Sequence, residues 1–288
     1  MSTAGRETAA EDHGRSELER LRAELRDLRA RARVYPLISQ AQGILQERYA
    51  LPDAESAFAL LQRASQQHNV KVRTLAGALI RTPRPDDREP LWFPRRVRLP
   101  EPALTFTTAH RSGSGSRGAV LKAVLGTTLT VTSTDMGNVQ LSDPARGGLR
   151  IEQHTGLTAD FVDFFAFVGE DGTSCAQAAR DVSQVTIREV ESDPALAEPA
   201  RTAILAAGSR ACHSVPLTTD SGQCVGVVSA HMDRPLRGLT ETQTKALGVV
   251  GTQAGRWLAW HDRTVVLDAL EHLHALGRAR RGSRHRRL

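Results

Sequence analysis

The chain has 288 residues, of which 40% are hydrophobic, 38 are Lys or Arg and 32 are Asp or Glu, and its net charge is +6. This length fits about two domains with connecting segments, and no apolar run approaches the roughly 20 residues that a membrane-spanning helix needs. The N-terminus lacks the apolar region of a signal peptide, and the three cysteines include no CxxC pair. We therefore expect a cytoplasmic protein without a membrane partner or a disulfide framework.

The excess positive charge lies at the C-terminus, where residues 263–288 are predicted to form a helix followed by a basic tail. The final sequence RARRGSRHRRL contains six arginines, and the rest of the chain has 32 basic and 32 acidic residues. Such a charge run is expected to be disordered. It could add nonspecific affinity for phosphates, or it could simply increase solubility.

At the other end of the chain, residues 1–15 are polar, mixed in charge and expected to be disordered. Residues 16–35 are predicted to form a coiled coil, because apolar residues alternate there at spacings of three and four. The predicted seam of a homodimer contains Leu18, Leu21, Leu25 and Leu28. The alternative is a stripe that packs on its own chain, but the strict 3.5-residue period favours a narrow dimer seam.

Three short amphipathic helices are predicted between residues 34 and 82. The first has apolar residues at helical spacing, and Asp53 and Asn69 are the expected N-caps of the second and the third. Gly43 lies within the first helix, where Gly costs about 1 kcal/mol relative to Ala. A close approach by another backbone or a ligand would justify that cost.

At these residues the chain resembles the ANTAR domain. The matching positions are Ala41 and Gly43 in the sequence AQG, Ala57-Phe58, Leu61, Ser65, Asn69 and Ala76. The resemblance implies a three-helix RNA-binding module that acts on transcription termination in bacteria, usually as a dimer. The family usually has a basic residue where this chain has Gln42, and Met where it has Gln46.

We predict that polar and basic residues outside the apolar stripes contact RNA. They are Gln40, Gln42, Arg48, Arg63, Asn69, Lys71 and Arg73. Cations of this kind bind phosphates and make affinity depend on salt. Each charge taken singly is more often a solvated surface group, and only the family resemblance favours RNA binding.

Residues 83–118 are rich in Pro, Ser and Gly and are predicted to be a linker. Residues 119–262 are predicted to form a second domain of helices packed on an antiparallel sheet, an α+β architecture. Its opening segment is helical, a helix covers TADFVDFFAFV, a third strand covers VSQVTIREV, and a long helix from Thr240 to Ala259 closes the domain.

This second domain resembles a GAF domain. The resemblance rests on DMGNVQL, GGLRI, DFF, AAGSRACHSVPL and VGVVSAHMDRP. It implies a sensory fold that holds a small molecule or transmits signals between helices. The predicted fold class is therefore multidomain, with an all-α coiled coil and a three-helix ANTAR bundle followed by an α+β GAF domain with an antiparallel sheet. The usual order in such proteins is GAF before ANTAR, and here it is reversed.

The strands ACHSVPLTT and QCVGVVSAHM are predicted to form a hairpin around Asp220-Ser221-Gly222. If position 213 faces about position 229, His213 and His231 are diagonal neighbours on one mostly apolar face. With Cys175 they are the predicted ligand-pocket residues. The alternative is a pair of satisfied core histidines. No spacing typical of zinc ligands is present, so we expect no metal and no cofactor.

Cys175 follows Gly172-Thr173-Ser174 at a predicted helix start, where a thiol pKa is lowered. The alternative is a small buried residue, which free Cys usually is. One enzymatic GAF branch reduces free methionine sulfoxide through cysteines, but its cysteine arrangement is not recognised here. Phosphate-loop, HExxH and kinase motifs are absent from the sequence. We therefore expect no catalytic residues.

Together these features predict a cytoplasmic antitermination regulator. A coiled coil would pair two ANTAR modules that bind a structured nascent transcript, and the GAF domain would sense an unknown small molecule. The alternatives are a DNA-binding regulator, a protein-interaction regulator without nucleic-acid affinity, and a thiol enzyme resembling methionine sulfoxide reductase.

Overall fold

The computed structural model describes residues 4–86, 89–107, 116–169 and 171–285. The chain divides into two compact units. The first, here called the helical unit, contains the residues up to Pro94 and those from Asp268 onward; the second, the sheet unit, is Arg95–Leu267. No described helix is both long enough and apolar enough to cross a membrane.

The helical unit contains α1 (Ala4–Tyr49), α2 (Ala54–Gln67), α3 (Val72–Arg81) and nearly all of α9 (Leu267–His285). The elements of the sheet unit, in chain order, are α4 (Arg117–Thr132), β1 (Met136–Asp143), β2 (Gly148–Thr155), α5 (Ala159–Phe164), β3 (Phe167–Val168), α6 (Ser174–Asp181), β4 (Val185–Ile187), α7 (Glu198–Ala206), β5 (Ala211–Thr218), β6 (Cys224–Met232), α8 (Glu241–His261) and a π-helical turn (Asp262–Val266).

The first helix is longer than the sequence indicates. It begins at Ala4 and runs through the coiled-coil segment to Tyr49, so the expectation of disorder up to residue 15 is wrong from Ala4 onward. Within it, Arg20 pairs with Glu17 and Glu24 at spacings of three and four residues, which stabilises a helix. Extending an existing helix adds one hydrogen bond per residue without a new nucleation cost, which accounts for the upstream start.

Helix α2 begins as predicted, because the Asp53 carboxylate accepts a hydrogen bond of 2.7 Å from the Ser56 N–H. The predicted N-cap of α3 is wrong. Asn69 has φ +50° and lies in the turn that ends α2, while Lys71 occupies the N-cap position without a side-chain capping bond. Asn tolerates this left-handed conformation better than most residues, so it suits the end of a helix as well as a start.

Helix α9 is part of the helical unit. It buries a stripe at helical spacing against the bundle: Ala269, Leu270, Leu273, His274 and Gly277. The helix continues to His285, so the expected disorder of the basic tail is wrong for the described residues. Burial of the apolar stripe stabilises the helix, and the arginines that follow it are added to an already formed helix.

Six strands form one antiparallel sheet within the described residues, in the order β3-β2-β1-β6-β5-β4. Helices α4 and α8 cover one face, and α5, α6 and α7 cover the other. One apolar core therefore lies on each side of the sheet. The predicted α+β class is confirmed. One element differs: the helix predicted through TADFVDFFAFV ends at Phe164, and Phe167–Val168 pairs with β2 as an edge strand.

The register of the β5–β6 hairpin corrects the predicted pocket. His213 lies opposite Ala230 rather than residue 229, because the register shifts between Leu217 and Thr218. A slip of one residue moves a side chain to the other face of a sheet. His213 and His231 therefore lie on opposite faces, and the expected diagonal pair does not form.

Candidate functional site

The predicted RNA contacts in the helical unit differ in accessibility. Gln40, Arg63, Asn69 and Lys71 are exposed, and Arg73 is partly buried. The Gln42 amide instead donates a hydrogen bond of 2.8 Å to the Ala54 carbonyl at the start of α2. Gln42 therefore joins two helices of the bundle.

Arg48 is a correction to the predicted site, because only 7% of it is exposed. Its guanidinium carbon lies 4.8 Å from the centroid of the Trp92 ring. The Trp92 indole N–H donates to the Pro83 carbonyl at 3.0 Å, and the Glu271 carboxylate accepts from the Trp92 backbone N–H at 2.7 Å. These hydrogen bonds hold the Trp92 ring over Arg48, so Arg48 does not supply a surface cation.

A groove of about 390 Å³ lies between the α1–α2 connection and α9. It is lined by Tyr49, Ala50, Leu51, Pro52, Ser56, Arg63, Leu276, Ala279 and Arg280. The buried Tyr49 hydroxyl is 2.9 Å from His274 Nδ1, which fixes α9 to the end of α1. An exposed arginine comes from each side of the groove, Arg63 from α2 and Arg280 from α9.

The sheet face under α5, α6 and α7 carries a buried polar cluster. Ser174 Oγ lies 3.0 Å from Ser214 Oγ, which is 2.8 Å from Ser229 Oγ. Asn138 and Gln140, on the central strand β1, are also buried. Asn138 Oδ1 and both polar atoms of the Gln140 amide lack a hydrogen-bond partner of normal geometry among the described residues. Buried polar groups of this kind are usually satisfied, so their spare donors and acceptors distinguish this face.

His231 lies on this same face. Ser209 Oγ donates its proton to the Ala211 carbonyl at 3.1 Å. His231 Nδ1 lies 3.2 Å from Ser209 Oγ and is therefore the donor in that hydrogen bond. The imidazole and the Phe161 ring also pack in a T-shaped arrangement, with a centroid distance of 5.1 Å. Burial lowers the pKa of His231 from 6.5 to about 4, so the ring is neutral at physiological pH.

His213 lies on the opposite face with both ring nitrogens bonded. Nε2 donates to Gln184 Oε1 at 2.9 Å, and Nδ1 accepts from the Thr186 hydroxyl at 2.8 Å. Gln184 in turn donates to the Thr244 carbonyl on α8. Burial lowers the pKa of His213 to about 4. His213 is therefore a satisfied core residue rather than a neighbour of His231.

Cys175 lies in the first turn of α6, whose N-cap is Thr173. Its buried Sγ is 3.2 Å from the Thr173 hydroxyl, and burial raises the pKa of the thiol. Burial also raises the pKa of Cys212 to about 12. The expected lowering of the Cys175 pKa by the helix N-terminus is therefore outweighed, because removal of water disfavours the thiolate more than the helix dipole favours it.

A family model of the ANTAR domain matches residues 26–80, and one of the GAF domain matches residues 107–258. The chain belongs to the GAF domain family. Its GAF domain follows an ANTAR domain, in the order expected from the sequence. Among curated proteins, none matches this chain.

Several solved structures are similar to about half of this chain. A domain of a putative two-component sensor histidine kinase from Sinorhizobium meliloti 1021 is 20% identical, with a TM-score of 0.43, and the match covers 51% of this chain and 92% of that one. A methyl-accepting chemotaxis protein fragment is 22% identical, with a TM-score of 0.43, covering 52% and 93%. Free methionine-R-sulfoxide reductase from Neisseria meningitidis is 20% identical, with a TM-score of 0.39, covering 56% and 98%.

In the GAF domain, two of the predicted pocket residues, His231 and Cys175, lie on one face of the sheet. The sequence prediction misses the polar cluster on that face, which includes residues of β1. The available signal was the alternation of polar residues in otherwise apolar strands: Asn138 and Gln140 in β1, Ser214 in β5 and Ser229 in β6. Among the described residues, no three His, Cys, Asp or Glu side chains cluster closely enough to hold a metal ion.

Beside the ANTAR domain, the residues that sequence reasoning missed come from α9. The signal was the apolar spacing of Leu270, Leu273 and Gly277, which predicts a buried helical stripe. The dense arginines after Gly277 favoured an interpretation as a solvated tail. Nothing in the local sequence says that this stripe packs on helices more than 200 positions upstream.

Proposed function

We propose that this protein is a cytoplasmic, RNA-binding regulator of transcription antitermination whose GAF domain senses a small molecule. The observation that carries the proposal is an ANTAR domain, folded as a helical bundle with exposed cations, joined in one chain to a GAF domain whose buried polar face carries unsatisfied amide atoms of Asn138 and Gln140. The ANTAR family binds structured RNA, and single-stranded loops expose bases for stacking and edge contacts.

RNA contact is assigned to the exposed side chains Gln40, Arg63, Asn69 and Lys71, together with the partly buried Arg73. Removing one cation from a phosphate reduces the magnitude of the salt slope of log affinity by about 0.7 to 0.9. Replacing Arg63, Lys71 and Arg73 with Ala should therefore weaken binding and flatten its salt dependence. Replacing three exposed cations of the GAF domain, Arg234, Arg237 and Lys245, is the charge-matched control.

The probe is the RNA recovered by crosslinking the full-length protein in cells and sequencing the bound fragments. Binding of this RNA should resist competition by duplex DNA of equal length, which separates the proposal from a DNA-binding regulator. Equal reduction of affinity in the triple variant and its control would mean that binding reflects total charge alone. If no RNA crosslinks above background, the protein-interaction alternative is the better account.

The sensor role is assigned to the GAF face that carries Asn138, Gln140, Ser174, Ser214 and Ser229. Small-molecule sites combine apolar walls with a few polar groups that fix orientation. Spare amide donors and acceptors inside an apolar core suit a small, uncharged polar molecule, because they would otherwise stay unpaired at a cost of about 1 to 3 kcal/mol each.

We propose regulation without catalysis. The thiols of Cys175, Cys212 and Cys224 all have pKa values raised by burial, and the thiolate is the reactive form. The thiol-enzyme alternative is tested by incubating the protein with free methionine sulfoxide and a dithiol reductant. We expect no methionine above the level formed by a Cys175→Ser variant, and turnover that depends on Cys175 would favour the alternative.

A further inference from the structure

The position of α9 is fixed by a contact that only glycine permits. A Cβ atom at Gly277 would lie 2.6 to 2.7 Å from ring atoms of Tyr49. The Tyr49 hydroxyl meets His274 one turn earlier on the same helix, at 2.9 Å. Glu271, a further turn back, accepts hydrogen bonds from the backbone N–H groups of Trp92 and Phe93. The basic C-terminal helix is therefore docked on the bundle through successive turns.

Docking places Leu276, Ala279 and Arg280 of α9 beside the α1–α2 connection. The groove of about 390 Å³ between them has apolar walls, which include Pro52 and Leu276, and two exposed guanidinium groups, Arg63 and Arg280. Arg278, also exposed, donates to the Glu89 carbonyl and adds a third positive charge near this end of the helix. No acidic side chain lines the groove among the described residues.

We propose that α9 completes the RNA-binding surface, and that this groove holds an RNA strand with Arg63 and Arg280 on its phosphates. This inference rests on the proposed RNA-binding function and assigns part of it to a segment outside the ANTAR match. Two arginines that flank an apolar slot suit a chain with phosphates and apolar base faces, as single-stranded RNA has.

The proposal also accounts for the departure at Gln42. The family usually has a cation there, whereas the Gln42 amide bonds to Ala54, a residue between groove-lining Pro52 and Ser56. A charge missing from α1 is thus supplied from α9 along the same connection. An acidic peptide could use the same arginines, but it would not need the apolar length of the groove, so RNA is the occupant that the lining favours.

Two variants of the full-length protein test the proposal against the crosslinked RNA. Arg280→Gln removes one charge, with Arg237→Gln on the GAF domain as the matched control. We expect the slope of log affinity against log salt to fall in magnitude by about 0.7 to 0.9, and affinity at low salt to fall on the order of threefold or more, only in Arg280→Gln.

Gly277→Ala keeps every charge but disturbs the contact with Tyr49. The matched control for Gly277→Ala is Gly126→Ala, where a Cβ meets nothing within 4 Å. An undocked basic tail would bind RNA equally well with Ala at position 277, so weaker binding in Gly277→Ala alone supports a docked surface. As a readout that does not depend on variants, ultraviolet crosslinks should map RNA to peptides containing Tyr49 or residues 276–280.

The outcomes separate this inference from the proposed function. If Arg63, Lys71 and Arg73 matter but Arg280→Gln and Gly277→Ala equal their controls, RNA binding stands and the role of α9 is overturned. Absence of RNA binding by the unaltered protein overturns both. Crosslinks confined to α3 and to the residues of α1 before Tyr49 would also count against an RNA strand in the groove. So would an acidic peptide that competes with RNA and no longer competes in Arg280→Gln.

Discussion

His213 and His231 show how the surroundings of a single residue set its chemistry. Both imidazoles lie in strands of the GAF sheet, and burial lowers the pKa of each to about 4. His213 has both nitrogens bonded, while His231 donates to Ser209 and packs against Phe161. A proton on His213 Nδ1 would displace the hydrogen bond from Thr186, and burial disfavours the charged form of both rings.

The GAF domain is therefore expected to lose stability in mild acid. The unfolded chain takes up protons near pH 6.5, whereas the folded histidines do so only near pH 4, so the free energy of unfolding falls as pH decreases between these values. Each histidine contributes up to about 1.4 kcal/mol per pH unit in this window. Urea unfolding monitored by tryptophan fluorescence at several pH values measures the slope.

Replacing His213 with Gln should remove the share of His213 in the pH dependence of the free energy of unfolding. The free energy of unfolding should change less at pH 8 than in mild acid. His154→Gln on the exposed end of β2 is the control. An unchanged slope in His213→Gln would show that other groups cause the acid sensitivity.

At the scale of elements, α8 packs closely on β5 because small residues face the strand. A Cβ at Gly251 or Gly255 would overlap the backbone of Pro216 or Thr218. These two glycines are four residues apart and so lie on one side of the helix. The absence of side chains there allows the helix to approach a strand whose backbone cannot move aside.

Gly255→Ala is predicted to destabilise the GAF domain by about 1 to 3 kcal/mol, because overpacking against backbone forces the helix away. Gly126→Ala in α4, where the added methyl group meets open space, should be neutral or stabilising by up to about 1 kcal/mol. Thermal unfolding of both variants measures the difference. Equal unfolding temperatures would mean that α8 tolerates displacement from β5.

The first part of α1 carries leucines that the single chain leaves uncovered. Leu21, Leu25 and Leu28 are 48%, 45% and 63% exposed, although a leucine stripe of this spacing is usually buried. Leu18 completes the predicted seam, but its side chain lies outside the described residues. An exposed stripe at a 3.5-residue period supports the proposal of a homodimeric coiled coil.

Leu25→Asp is predicted to convert a dimer into a monomer, because an unpaired charge in an apolar interface costs several kcal/mol. Sedimentation equilibrium of the variant and the unaltered protein measures the change. Ala23→Asp, on an exposed residue outside the seam, is the control. A Leu25→Asp protein that remains dimeric would move the interface elsewhere, for example to the GAF domain.

For the whole molecule, sensing can regulate RNA binding only if ligand binding at the proposed sensor site changes the free energy of RNA binding. A coupling of about 1 to 3 kcal/mol changes affinity roughly 5- to 150-fold, and the effect is reciprocal. In the chain, α9 follows α8 with only the π-helical turn Asp262–Val266 between them. A ligand that favours one arrangement of this segment would shift the population of RNA-binding states.

We predict that a metabolite fraction which raises the unfolding temperature of the GAF domain also changes RNA affinity of the full-length protein within that range. Gln140→Leu should abolish the response and keep the RNA affinity measured without metabolites. Fluorescence anisotropy of labelled RNA, with and without the fraction, measures both. A metabolite that stabilises the GAF domain but leaves RNA affinity unchanged would show that ligand binding to this domain does not regulate RNA binding.

The sequence by itself determined those elements whose signals are local. The Asp53 cap of α2, the Thr240 capping box of α8 and the β5–β6 turn follow from residues within a few positions of each other. The two family resemblances are also local, since each is carried by motifs in short segments. Periodicity and turn chemistry act over one or two turns of chain, and the sequence displays that range directly.

Only the tertiary structure decided which faces and segments meet. A shift at Leu217 and Thr218 put His213 and His231 on opposite sides of the sheet, because strand register depends on a bulge that no spacing rule reveals. Arg48 is buried under Trp92, and α9 docks through Gly277 on Tyr49. These contacts join residues far apart in the chain, and their energy comes from burial and close packing, which depend on the partner surface and not on local sequence.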